Sequence, residues 1–452
     1  MKLSRPRRAA ALAAVLMCAA FALGGCKLIS IDPAVDAKTV IAEVSGEPVT
    51  KGDLAGPYTL TLSQYAALYS MYGLSIDASD ASFITSVKES ALASVTSQKV
   101  REQRFSARGL ELTPEEEAQA EADADEAYES WVESYAESML QAGVSTNEAS
   151  ARSQAAAELD GQGVTRDLML YSTRDAVISS RLKDDVTKDV TISDDEINAE
   201  ADARRADQIA KYDENPASFG TDMTGGVIIL YRPDGYRYVK NLLVGLPDDI
   251  QSELDAIDSE LATNDYNRYS LEQQKASMGT LSEADEQTFD SLFISLDEAD
   301  ARLTEQRGEK LAQGKEQIKS RAEEALEKAK SGDEGFDALI DEYGDDPGMR
   351  EEPAKTAGYP VCDSTTSYVA AFKDAAMALA NPGDISDLVE TDYGYHILLY
   401  ASDIPSGEAP TSDVADALRG EMLTARKDEL YNQAMADWTA EANIKTYMNR
   451  WN

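Results

Sequence analysis

The chain contains a single histidine, His396, and that count alone removes much chemistry. Histidine-rich zinc sites are excluded, and a Ser-His-Asp triad would have to be built on His396 itself. Two adjacent acids, Asp345 and Asp346, stand before Pro347-Gly348. Neighbouring carboxylates can titrate as a coupled pair and keep one proton as a donor. The same residues in a turn can simply accept backbone amides. Tyr368 and Phe372 are four residues apart, so on the helix expected over residues 367–379 they share a face. Met377 follows later on that helix; apolar spacing of this kind suits a core as readily as a pocket wall. Cys18, Cys26 and Cys362 form no CxxC pair, and Cys362 stands alone with no internal disulfide partner in prospect. No metal site and no organic cofactor has support in the sequence.

Around these residues lies a chain of 452 residues, 43% hydrophobic and 28% charged, the composition of two or three globular domains. Forty-two basic residues face 83 acidic ones, a net charge of −41. Such a surface repels phosphate backbones, so nucleic acid is excluded as a partner, and the acidity serves solubility. Lys2, Arg5, Arg7 and Arg8 precede an apolar run from Ala9 to Leu23. That run is shorter than the roughly 20 residues that span a bilayer, and it reads as a targeting segment. It ends in Leu23-Gly24-Gly25-Cys26, which resembles a bacterial lipobox. The resemblance implies a signal peptide over 1–25 and a diacylglyceryl group on Cys26. A tether over 26–39 would then hold the protein at the extracytoplasmic face of the cell membrane, and two acyl chains suffice for stable anchoring.

Residues 40–50 alternate apolar positions broken by Gly46 and Pro48, a strand and a turn. From Leu60 to Lys211 successive helices are expected. Thr113-Pro114-Glu115-Glu116 is a helix start with proline in the first turn, and Ser193 with Glu196 repeats the device. Between Tyr231 and Ser402 the texture is mixed. Residues 236–244 are rich in β-formers, and Glu316 to Lys330 has Ile318, Ala322, Ala325, Leu326 and Ala329 on one face. A short helix around Phe336–Tyr343 and the helix 367–379 follow, the latter ended by Asn381-Pro382-Gly383. Gly394 to Tyr400 is a final strand. Residues 249–315 carry Leu254, Ile257, Leu261, Leu292, Leu296 and Leu303 at helical spacing, which predicts a hairpin arm pinched near Met278-Gly279. A segment of that size is an interaction arm or a structural spacer. Residues 411–452 return to helix.

Several of these stretches resemble the PrsA and SurA foldases and the parvulin peptidyl-prolyl isomerases. Val44-Ser45-Gly46-Glu47-Pro48-Val49-Thr50 and Ile192-Ser193-Asp194-Asp195-Glu196 resemble the opening strand and the helix start of the foldase chaperone region. Asn241-Leu242-Leu243-Val244, Tyr343-Gly344-Asp345-Asp346-Pro347-Gly348, Ala357-Gly358-Tyr359 and Tyr368-Val369-Ala370-Ala371-Phe372 follow the parvulin pattern in order. Leu379 to Val389 and Tyr393-Gly394-Tyr395-His396-Ile397 complete it. The resemblance implies an α+β chain, in which a mostly helical, SurA N-terminal-like chaperone domain (40–225) holds an inserted parvulin, FKBP-like α/β domain (226–403). The 249–315 insertion would lie within the latter, and residues 404–452 would return to the chaperone domain.

The resemblance also assigns roles. Asn241, Asp346 and His396 are the catalytic positions, with Asn241 where the family has a second histidine. Tyr368, Phe372 and Met377 form the seat for the prolyl ring. The implied activity is X-Pro cis–trans isomerisation, which must overcome a barrier of roughly 18–20 kcal/mol without covalent chemistry. An apolar seat dehydrates the amide and favours its twisted form. Partners would be unfolded or nascent secreted polypeptides and the membrane through Cys26; a homodimer is left open. Asparagine cannot carry charge, so weakened catalysis is expected, and a non-catalytic holdase with a degenerate parvulin domain is the alternative. A solute-binding lipoprotein would need repeated βα units, which the helical N-terminal half does not supply.

Overall fold

The computed structural model describes residues 33–71, 74–77, 79–279 and 281–451. Cys18, Cys26 and the whole signal segment lie outside the described residues. Among the described residues, no helix is long and apolar enough to cross a membrane. Contacts divide the chain into two units, one reaching Ile192 and resuming at Glu421, the other running from Ser193 to Gly420.

After a short helical turn at Pro33–Asp36, the first unit forms the antiparallel hairpin β1 (Val40–Val44) and β2 (Glu47–Thr50). Ser45 and Gly46 between them have φ of 52° and 89°. Positive φ at both central positions gives a two-residue turn whose twist matches the strands. Five helices follow: α1 (Lys51–Met71), α2 (Ala81–Ala107), α3 (Pro114–Gln141), α4 (Glu148–Gly161) and α5 (Arg166–Thr187). α3 starts where Thr113 and Glu116 satisfy each other's backbone amides with Pro114 at the first position. The C-terminal helix, Thr411–Glu441, ends in this unit. Its successor Lys445–Thr446 pairs with β1, and the Ser45 amide donates to the Ala442 carbonyl at 2.7 Å. Ile41, Val44, Leu54, Val95, Leu182 and Trp438 share one core there.

The second unit begins with α6 (Asp194–Glu214), capped by Ser193 and Glu196, and α7 (Ala217–Thr224). Tyr212 and Phe219 of these helices are buried with Tyr236, Cys362 and Ile404. Contacts thus group α6 and α7 with the second unit from residue 193 on, through these buried aromatics. After β3 (Tyr231–Arg232) and β4 (Arg237–Gly245) come α8 (Asp248–Ser277), α9 (Glu283–Ser331) and α10 (Phe336–Tyr343). β5 (Tyr359–Val361), α11 (Ala370–Ala378), β6 (Val389–Thr391) and β7 (Gly394–Asp403) complete the domain.

In the second unit four strands form one antiparallel sheet in the order β5-β4-β7-β6. β4 and β7 lie at its centre, with Asn241 opposite Leu398 and Leu243 opposite His396. Side chains alternate across a strand, so each strand serves two layers. Leu242, Val244 and Ile397 face the helices, buried with Ile318, Ala322, Ala325 and Leu339. Val239, Asn241, His396 and Leu398 face the opposite side. The β6–β7 turn closes on Gly394, whose φ is 134° and whose place a Cβ would occupy only 2.2 Å from the Val244 carbonyl oxygen. Only glycine fits there.

Two expected elements differ. The segment Glu316 to Lys330 is not a helix of its own but the last third of the 49-residue α9. Two isolated glycines, Gly308 and Gly314, cost about 1 kcal/mol each relative to alanine, too little to break a helix carrying a packed stripe. The helix expected over 367–379 runs only from Ala370 to Ala378. β-Branched Val369 is extended at φ −59°, ψ 144°, so Tyr368 precedes the helix.

Candidate active site

On the open face of the sheet, β4 presents Asn241 and β7 presents His396 next to it. Both are buried, at 3% and 5% exposure. The His396 Nδ1 lies 3.0 Å from Asn241 Oδ1, and the Asn241 amide nitrogen donates to Asp346 Oδ2 at 2.7 Å. A carboxylate only accepts, so the amide nitrogen must face Asp346 and the amide oxygen must face the imidazole. His396 therefore carries its proton on Nδ1 and donates it to Asn241. Its Nε2 is then an acceptor, and the Thr391 hydroxyl, 2.8 Å away, donates to it. Thr391 Oγ1 in turn accepts from the Tyr393 amide at 3.1 Å. One directed chain of hydrogen bonds thus runs from the β6–β7 turn to the Asp346 carboxylate.

Burial penalises the imidazolium and pushes the His396 pKa down to about 4, against an opposing pull from Asp346. The ring is neutral at physiological pH, as the bonding pattern requires. Asp346 caps the short helix Pro347–Arg350, taking the Gly348 amide at 2.9 Å. It also takes the Tyr359 hydroxyl at 3.1 Å on each oxygen. That hydroxyl leaves no room at position 348, where a Cβ would sit 2.0 Å from it. Burial first, and then Asp346, hold the Tyr359 phenol in its protonated form.

The two neighbouring acids face different partners. Asp345 turns to Arg321, at 2.9 Å, and to the Gly245 amide at 3.1 Å, while Asp346 turns to Asn241 and Tyr359. The arginine offers one carboxylate a partner that the other lacks.

An aromatic wall stands over the chain. Phe372 meets the His396 ring edge-on at 5.6 Å between centroids, and Tyr368 meets Phe372 at 5.2 Å and Tyr359 at 5.4 Å. Phe372 itself is 3% exposed, within a cluster of Val239, Val361, Ala376 and Leu398. Tyr368, Tyr359 and Met377 are half-buried against that cluster and form the wall's accessible edge. All six expected residues thus meet at one place, although Tyr368 arrives from an extended segment. Sequence reasoning missed Thr391 and Tyr359 as participants, and Arg237. Arg237 donates to the carbonyls of Ala376 and Leu379 at 3.2 and 2.7 Å, fixing the end of α11, and stacks on Tyr400.

Among the described residues, no group of histidine, cysteine and acidic side chains is arranged to hold a metal ion. What the arrangement can do is electrostatic and steric. A carboxylate beside a peptide carbonyl disfavours the polar resonance form that gives the C–N bond its double-bond character. A half-apolar edge beside it can take a ring out of water.

The family described as Rotamase, PPIC-type PPIASE domain, matches residues 301–402. Foldase protein PrsA 3 of Bacillus anthracis is 29% identical over 136 residues, 28% of this chain and 45% of that protein. Foldase protein PrsA of Clostridium botulinum is 28% identical over 114 residues, covering 25% and 33% respectively. The chain thus spans less than half the length of these curated relatives. The crystal structure of PrsA from Bacillus subtilis aligns with 90% of this chain and 94% of its own at 16% identity, with a TM-score of 0.25. The matched segment starts within α9, and β4 with Asn241 lies upstream, separated from it by the arm. Residues 301–402 thus match the PPIC-type PPIASE domain family, and the sheet they form is completed by the central strand β4 from upstream of the arm.

Proposed function

We propose that this chain is an extracytoplasmic foldase, lipid-anchored through Cys26, whose second unit isomerises X-Pro bonds in unfolded secreted polypeptides. The observation that carries the reading is the directed chain Thr391–His396–Asn241–Asp346 lying beneath the aromatic edge of Tyr368 and Tyr359. The prolyl ring would rest against that edge, with Met377 beside it, and the carbonyl before it would lie against Asp346. His396 and Asn241 act from below, holding the carboxylate's orientation with neutral groups. Because Asn241 brings no charge, the expected activity is weak but measurable.

A second reading is favoured by the cover over the site: Phe372 is 3% exposed, and both ring nitrogens of His396 are already engaged. A holdase would need only the surface. The two are separated with the full chain in a prolyl-peptide isomerisation assay. Asp346→Asn is expected to remove most of the rate enhancement. A wild-type rate equal to the uncatalysed one sinks the isomerase reading, and aggregation suppression that survives Asp346→Asn would then establish the holdase.

A further inference from the structure

The arm of α8 and α9 carries far more exposed apolar surface than its length warrants. Among the described residues, five of the fifteen large hydrophobic side chains left exposed are on it: Tyr266, Tyr269, Met278, Leu292 and Ile294. Nothing in the arm's own assembly needs them there. The seam between its helices is closed by polar pairing and by buried Phe289 and Leu303. Arg268 reaches Asp297 and Asp300 at 2.7 Å each, and Asn264 donates to Asp300 at 2.7 Å. Tyr266 is two residues from both Asn264 and Arg268, hence off that seam, and is 70% exposed. Tyr269, three residues on, shares its face at 60% exposure, and Ile294 on α9 is 56% exposed.

The surrounding charge selects what could cover them. Residues 248–315 hold 17 acidic and 6 basic side chains. Five of those six cations are occupied: Arg268, Lys275 with Asp290, Arg307 with Asp258, Lys310 with Glu253, and Lys315 with Glu390. The surplus on the arm is therefore negative and faces solvent. A second copy of a chain with net charge −41 is repelled by it. A partner with large apolar side chains interleaved with lysine or arginine is attracted on both counts.

We propose that the arm is a capture surface for cationic polypeptide segments carrying interspersed aromatic or aliphatic residues, gripped by Tyr266, Tyr269 and Ile294. It uses no residue of the isomerase site and stands apart from that reading. The test uses the full chain and three fluorescent peptides, one alternating lysine with phenylalanine, one alternating glutamate with phenylalanine, and one of lysine and glycine. Wild type should bind the first, more weakly as salt is raised. The variant Tyr266→Ser, Tyr269→Ser, Ile294→Ser, with helicity checked by circular dichroism, should bind it about tenfold more weakly. The same variant should isomerise a short uncharged prolyl peptide at the wild-type rate, so the arm and the site are read separately. Equal binding by variant and wild type overturns the proposal. So does equal binding of the lysine–glycine peptide, which would make charge alone sufficient, or a wild-type dimer in sedimentation that the variant abolishes.

Discussion

At the scale of single residues, the decisive fact is that His396 is buried, neutral and doubly hydrogen-bonded. Because it is the chain's one histidine, its ring protons give unambiguous NMR signals, and their titration midpoint should lie near 4. A midpoint near 6.5 would mean the ring is open to water. The linkage follows in sign. The folded pKa lies below the unfolded one, so between about pH 4 and 6.5 the unfolded state binds more protons. Stability from keeping this ring neutral is fully present above pH 6.5 and is lost as pH falls toward 4, about 3 kcal/mol in all. Denaturant midpoints followed against pH should show that loss in wild type and not in His396→Gln. Asn241→His would place a second imidazole between His396 and Asp346. It should raise the isomerisation rate; an unchanged rate would locate the limit in the cover over the site. The sequence motif made Asn241, Asp346 and His396 legible as a group. Thr391 and Tyr359 were not, because their roles arise from hairpin register and from a phenol reaching across a turn, and neither has a local residue pattern.

At the scale of elements, local chemistry read well wherever it was self-contained. The capping pairs Thr113–Glu116 and Ser193–Glu196 bond as their spacing requires, because both partners lie within one turn. Position 394 is equally local. Gly394→Ala forces a Cβ against the Val244 carbonyl at a φ that alanine avoids. A loss of roughly 1–3 kcal/mol is expected from the backbone strain alone, measurable as a lowered denaturant midpoint. The same substitution should displace Thr391 from His396 and shift the imidazole NMR signals; unchanged signals would show that the turn does not set the ring's environment. Ends set by tertiary contact were illegible. α11 starts at Ala370 after the extended Val369, with Tyr368 outside the helix and against Tyr359, and the pairing of Lys445–Thr446 with β1 rests on two residues too few to carry a pattern.

At the scale of the molecule, the expectation of two bodies and an insertion rested on the family resemblance more than on texture, since α6 and α7 are helical yet bury Tyr212 and Phe219 with the second unit. The arm's base is part of that unit's core, where Ile250 and Leu254 are buried with Ile318 and Ala322. Its outer part is not. Replacing residues 265–299 by a short Gly-Ser turn should therefore leave the sheet, the His396 signals and the short-peptide isomerisation rate unchanged. A collapse of the rate would show that the outer arm supports the site.

The unbroken course of α9 has a mechanical side. At 1.5 Å per residue its 49 residues extend about 70 Å, and the same rod carries Phe289 far out on the arm and Ala325 beneath the sheet. No joint lies between the two. Whatever takes hold of the outer end takes hold of the same helix whose inner turns lie under the strands that bear Asn241 and His396.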